Sequence, residues 1–191
     1  MVEERLKRTI HWLICLLHIN ERPWKRIGLA NEINMSGPTS YGGEIGKRLN
    51  NTEELLAAKV IDFQPMPCAL PELSSREIKE LKFSSDQKCF YDWLIGLRKG
   101  RQAFIDDPGL QLRSPGPVNH SRWLTGANRV IRLWISEPEP SKELIRLIEF
   151  ITLVYAPMWF YTKRHSDFTE SAQVVIAGVT VLFYNTMLVP N

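Results

Sequence analysis

Cysteine is scarce: Cys15, Cys68 and Cys89 are the only three in the chain. An odd number without tight spacing gives no disulfide framework and points to a reducing compartment, nuclear or cytoplasmic. Charge of one sign is lacking as well. The formal net charge is only +3, too little to name a partner, so any electrostatic function has to come from local clusters such as Arg98-Lys99-Gly100-Arg101. A secretory leader is not expected, although the chain opens "MVEERLKRTIHWLICLLHIN". Two glutamates stand where a leader is basic, and no small-residue cleavage site follows. Charge disappears altogether between Ser171 and Asn191. A bilayer span needs about 20 predominantly apolar residues, and Gln173 and Asn185 interrupt this stretch. The β-branched run "VVIAGVTVLFY" suits a buried strand, so a membrane location is not expected. Internal repeats and low-complexity tracts are missing too.

What is present is an ordinary globular composition. Hydrophobic residues make up 44% and charged residues 24% of 191 positions, which suffices for a real core and excludes a disordered chain. The periodicity is mostly helical. Leu6, Ile10, Leu13 and Leu17 form one ladder over Glu3 to Ile19, stopped at Glu21-Arg22-Pro23. Residues 31 to 48 read as a Gly/Ser/Pro-rich loop, Asn50 to Lys59 as a short helix and Val60 to Phe63 as a short strand. Ser74 or Ser75 with Glu77 opens another short helix. Ser84-Ser85-Asp86 caps a longer one that carries Cys89, Phe90, Trp93, Leu94 and Leu97 on one side. A Pro/Gly loop runs from Asp107 to Pro117, and residues 118 to 136 are expected to be helical. Ser141 caps a long apolar helix through Leu144, Ile148, Ile151 and Tyr155, with a kink at Pro157.

The fold class is therefore mostly α. The segments expected are an N-terminal helix and Gly-rich loop region (1–64), a stiff Pro-rich connector (65–73), a helical domain (74–169) and an uncharged apolar tail (170–191).

Most catalytic constellations fail on spacing. In "GPTSYGGEIGKR" Tyr41 stands where a phosphate-binding loop needs its first Gly, and Arg48 follows Lys47 where Ser or Thr is required. His11, Cys15 and His18 share a helical face and could begin a zinc site, but a fourth ligand would have to come from elsewhere, so core residues are the plainer reading. His120-Ser121 are neighbours without a nucleophile elbow, and Asp106-Asp107 beside Pro108 read as a solvated turn. No catalytic residue, metal site, cofactor or small-molecule substrate is expected.

One stretch carries more: "GPVNHSRWLTGANRVIRLW". At the α-helical period Arg129 falls about 20° and Arg132 about 80° from Arg122, giving one basic stripe. Trp123, Ala127, Val130 and Trp134 occupy the adjoining apolar face. Such a stripe could neutralise phosphates while the bordering Trp123 stacks on a base. The other reading is a core tryptophan with arginine stems lying over it. The residues alone leave both open.

Five stretches, "CLLHINERPWKRI", "SGPTSYGGEIGK", "FSSDQKCFYDWL", "GPVNHSRWLTGANRVIRLW" and "EPSKELIRLIEFITLVYAPMWF", occur in this order between about Ile14 and Thr169. Together they resemble transposon-derived proteins of animals, which are similar to hAT-type DNA transposases. Cys15-Leu16-Leu17-His18 matches the C-x-x-H of that family, a structural motif that follows the second catalytic aspartate. Arg122-Trp123 matches the Arg-Trp pair of its helical insertion domain. The resemblance implies the end of a ribonuclease H-like core joined to a helical insertion domain. It also implies DNA binding by Arg122, Trp123, Arg129 and Arg132. The two aspartates that hold metal in such enzymes are not in their expected place, and nothing marks Glu170 as the third ligand. Catalysis by this chain alone is not expected, and Mg²⁺ or Mn²⁺ would enter only with residues outside it. DNA is the expected partner, with self-association compatible. A small helical protein-interaction module without a nucleic-acid role is the alternative.

Overall fold

The computed structural model describes residues 33–37, 40–52, 62–112 and 123–164. Among them are seven helices and one two-stranded hairpin, in keeping with the mostly α expectation. Strands β1 (Asn34–Gly37) and β2 (Ser40–Gly42) pair antiparallel, Met35 opposite Tyr41, with a register irregularity before Gly37. Helix α1 (Glu44–Asn50) follows directly. Its last residue closes the unit: the Asn50 side chain accepts from Tyr41 N at 2.8 Å and donates to Tyr41 O at 2.9 Å. These residues were expected to form a loop. Tyr41, Ile45 and Leu49 are buried and give the segment an apolar side that orders it. Asn50 ends α1 and residues 51–52 form a turn where a helix was expected to begin, and Asp62 and Phe63 carry no strand; residues 53–61 of the expected helix and strand lie outside the described residues.

Residues 62–74 carry neither helix nor strand. They are not a free linker. Phe63, Leu70 and Leu73 sink into the same core as the hairpin and the helices. Helix α2 (Ser75–Glu80) opens with a reciprocal cap in which Glu77 N donates to Ser74 Oγ at 3.3 Å and Ser74 N donates to Glu77 Oε2 at 2.9 Å. Helix α3 (Ser85–Lys99) begins after Ser84, whose N–H donates to Gln87 Oε1. Its Cys89, Phe90, Trp93, Leu94 and Leu97 are all fully buried, on the side that the sequence indicated.

Gly100 ends α3 at φ 86°, a left-handed value that favours glycine, and lets α4 (Arg101–Asp106) turn away at once. Helix α5 (Pro108–Leu112) occupies part of the expected Pro/Gly loop. Proline at a first helical position lacks a donor that the helix would not have used, and Leu110 N donates to Asp107 Oδ1 at 3.2 Å. Helix α6 (Trp123–Ser136) covers the described part of the expected 118–136 helix.

Helix α7 (Lys142–Arg164) is long and apolar enough to cross a membrane by length and composition. Here its apolar side is built into the core: Leu144, Leu147, Ile148, Ile151, Tyr155, Trp159 and Phe160 are buried. Ser141 caps it through a bond from Leu144 N at 3.2 Å. The disruption expected at Pro157 takes the form of a π turn over Ile151–Tyr155, in which Ala156 N–H reaches back to Ile151 O. Proline has no N–H to offer and its ring would press on the carbonyl four residues earlier, so the wider turn relieves both. Phe160 stacks on Phe90 of α3 with ring centroids 5.8 Å apart, and Arg164 pairs with Glu77 at 3.1 Å to hold α2.

Candidate nucleic-acid helix and the groove beside it

Helix α6 carries the residues that the sequence singled out, and it lies at the centre of the molecule. It packs on α3, α7 and α1, and every residue from Leu124 to Ile135 is buried. Arg129 and Arg132 are each 1% exposed. The expected wet stripe is therefore corrected: these two arginines face protein. A helical wheel assigns polar residues to solvent on the premise that one face stays wet, and α6 has no such face over this span.

Three polar side chains on α6 make specific contacts inside the fold. The carbonyls closing a helix have no partner within it, and a cation there also suits the helix dipole. Arg129 Nη1 donates to Leu49 O at 2.7 Å, to Asn50 O at 3.3 Å and to Thr52 Oγ1 at 2.9 Å. It is the C-terminal cap of α1, supplied from about 80 residues away in the chain. Arg132 lies over the Trp93 ring with its Cζ 5.0 Å from the centroid, and Trp93 Nε1 donates to Leu110 O at 2.8 Å. The stack thus links α6 through α3 to α5. Asn128 Nδ2 donates to Asp86 O at 3.2 Å at the start of α3.

Trp123 opens α6; Arg122, Cys15 and His18 lie outside the described residues, as does the expected 1–19 helix. The structure thus brings together only Arg129 and Arg132 of the named set, and brings them inward. The partners Leu49, Asn50, Thr52 and Trp93 were not foreseen. One signal was present: residues 123–136 contain no Lys, Asp or Glu. A helix face meeting water usually mixes both signs, whereas arginine, with its planar fork and weaker hydration, suits buried pairing. The other basic cluster is engaged as well. Arg98 donates to Leu70 O at 2.7 Å and to Glu72 at 3.0 Å, and Lys99 pairs with Glu72 at 3.3 Å.

An open groove of about 560 Å³ runs between α3, the α4–α5 corner and the end of the connector. Its floor includes Leu73, Ile95, Gly96 and Leu110. Tyr91 in its wall accepts from Leu73 N at 2.6 Å, and burial pushes its phenol above the ordinary range. Cys68 nearby in the connector is half-buried, which raises its thiol and disfavours the reactive thiolate. No group of three potential metal ligands occurs among the described residues. Comparisons with protein-family models, with curated proteins and with solved structures give no significant match.

Proposed function

We propose that the chain is a helical protein-interaction module, built on a framework derived from a hAT-like transposase. On this reading residues 74–169 correspond to the helical insertion domain, and residues 1–64 to the end of a ribonuclease H-like core. The ancestry rests on the five sequence stretches quoted above. The functional half rests on one observation: Arg129 and Arg132, the basic residues that would have made α6 a DNA-facing helix, are bonded inside the fold. Phosphate contact would require Arg132 to leave the Trp93 ring, and Arg129 to leave the carbonyls that it bonds, at a cost set by the oxygens left unpaired.

The test is anisotropy of labelled single- and double-stranded oligonucleotides with the full chain across a salt series. The expected outcome is that Arg129→Ala and Arg132→Ala lower the melting temperature and leave any residual DNA affinity and its salt slope unchanged. DNA binding whose salt slope falls by roughly one phosphate per arginine, with the melting temperature intact, overturns the proposal. A second reading keeps DNA as partner through Arg122 and Trp123 alone. It rests on the resemblance of the Arg122-Trp123 pair to the Arg-Trp motif, Trp123 being the first residue of α6. The same titration separates it, since Trp123→Ala would then cost about 1–3 kcal/mol of affinity for unpaired bases.

A further inference from the structure

Resting on the interaction-module reading, we propose that the groove flanking α3 is a docking site for a short amphipathic peptide segment carrying lysine or arginine. The size is right: about 560 Å³ falls in the range of roughly 300–1,000 Å³ typical of ligand sites. Half-buried Ile78 and Ile95 offer aliphatic surface over the buried Leu73 and Leu110. Charge complementarity chooses the occupant. Four carboxylates and two ammonium groups line the groove. Both lysines already have acidic partners, Lys88 on Asp92 and Lys99 on Glu72.

That leaves Asp106 and Asp107 at one end. Asp106 accepts only a neutral amide from Gln102 at 2.7 Å, and Asp107 accepts from Leu110 N. Among the described residues neither has a cation within ion-pair distance. Half-buried Ala103, one turn before Asp106, lines the same end of the groove and sets apolar surface beside the acidic pair. An anionic or nucleic-acid ligand would meet repulsion there. A cationic side chain on an apolar segment gains both contacts, and the exposed carboxylates would steer its approach.

The experiment titrates the full chain against a fluorescein-labelled leucine–lysine amphipathic peptide, with a leucine–glutamate peptide of the same pattern as control. Saturable binding of the lysine peptide only, weakening as salt rises, is expected. The double variant Asp106→Asn, Asp107→Asn should weaken it roughly fivefold to tenfold. Asparagine keeps the cap of α5, so the melting temperature serves as the control for folding. Ile95→Ala should weaken binding by removing floor surface, while retaining the salt dependence. Equal binding of both peptides, or binding unchanged in the double variant, overturns the proposal. Self-association of the chain that the double variant abolishes would put a second copy in the groove and overturn it too. All three outcomes are read apart from the oligonucleotide titration, so the docking proposal can fail while the interaction-module reading stands.

Discussion

Arg129 sets the terms at the scale of single residues. Its guanidinium is out of reach of water and holds the C-terminal carbonyls of α1 together with Thr52. Arg129→Met keeps much of the volume but removes the donors, leaving buried oxygens unpaired. A group of that kind costs about 1–3 kcal/mol, and urea unfolding should show a loss of at least that size. A solvated arginine would show a change within about 0.5 kcal/mol, the usual effect at an unremarkable surface position. Arg129→Lys should recover only part of the loss, because one ammonium on a flexible stem does not reproduce the fork. The sequence showed that Arg129 and Arg132 lie on neighbouring sides of one helix, and that much holds. What it could not show is the other side of each contact. The partners are carbonyls of Leu49 and Asn50 and a ring at Trp93, far away in the chain, and backbone oxygens leave no trace in composition.

Elements whose reasons are local were the ones open to reading from sequence. The caps at Ser74, Ser84 and Ser141, and the buried side of α3, follow from residues within a turn or two of one another. Elements ordered from outside were missed. The hairpin and α1 were read as loop because their glycines dominate, whereas Asn50 and Arg129 secure them; α5 sits in a Pro/Gly stretch that only its contact with Trp93 and Gly96 explains. That contact can be probed. A Cβ at Gly96 would lie 2.9 Å from Phe104 Cε2 and Cζ and 3.0 Å from Leu110 Cδ2. Phe104 is fully buried and edge-on to Phe63, so its ring has little room to retreat. Overpacking of this kind costs about 1–3 kcal/mol, against a gain of roughly 1 kcal/mol for alanine over glycine in a helix. Gly96→Ala should therefore destabilise, and Phe104→Leu in the same chain should cost less than the two single changes added together, as denaturant midpoints of the four proteins would show.

The cap of α2 predicts a dependence on acid. Hydrogen bonds from the Ser74 backbone and side chain, and then Arg164, hold Glu77 below its ordinary value of 4.5. A depressed folded value means that this contribution to stability is complete above 4.5 and is lost as pH falls through the folded midpoint. The Glu77 carboxyl is exposed and the effect on global stability is correspondingly slight. A carbon-detected titration should place the Glu77 midpoint below 4.5, and Ser74→Ala should move it back upward. A midpoint at or above 4.5 in the wild-type chain would mean that the cap does not persist in solution.

For the whole molecule, the Pro-rich stretch over 65–73 raises the question of one cooperative unit or two. Sequence suggests a boundary there, because three prolines make a stiff spacer. Packing argues for unity. Phe63 meets Phe104 of α4 and Trp134 of α6 edge-on at 6.0 and 5.0 Å, Leu70 and Leu73 join the core, and Arg98 holds the Leu70 carbonyl. The hairpin and α1, before the prolines, are bonded to α6 by Arg129 and to the turn after it by the Arg48–Glu137 ion pair. The hairpin and α1 cannot part from α6 without exposing apolar surface on both sides of the connector. Unfolding should therefore follow one transition, with far-ultraviolet circular dichroism and tryptophan fluorescence tracing the same curve against urea. Arg129→Met tests the linkage more sharply. If α1 depends on α6 as its bonds require, the variant should shift both probes together and keep a single transition of unchanged slope. If the segment before the prolines is an independent unit, helicity should be lost in two steps, with the buried tryptophans of α3 and α7 reporting only the later one.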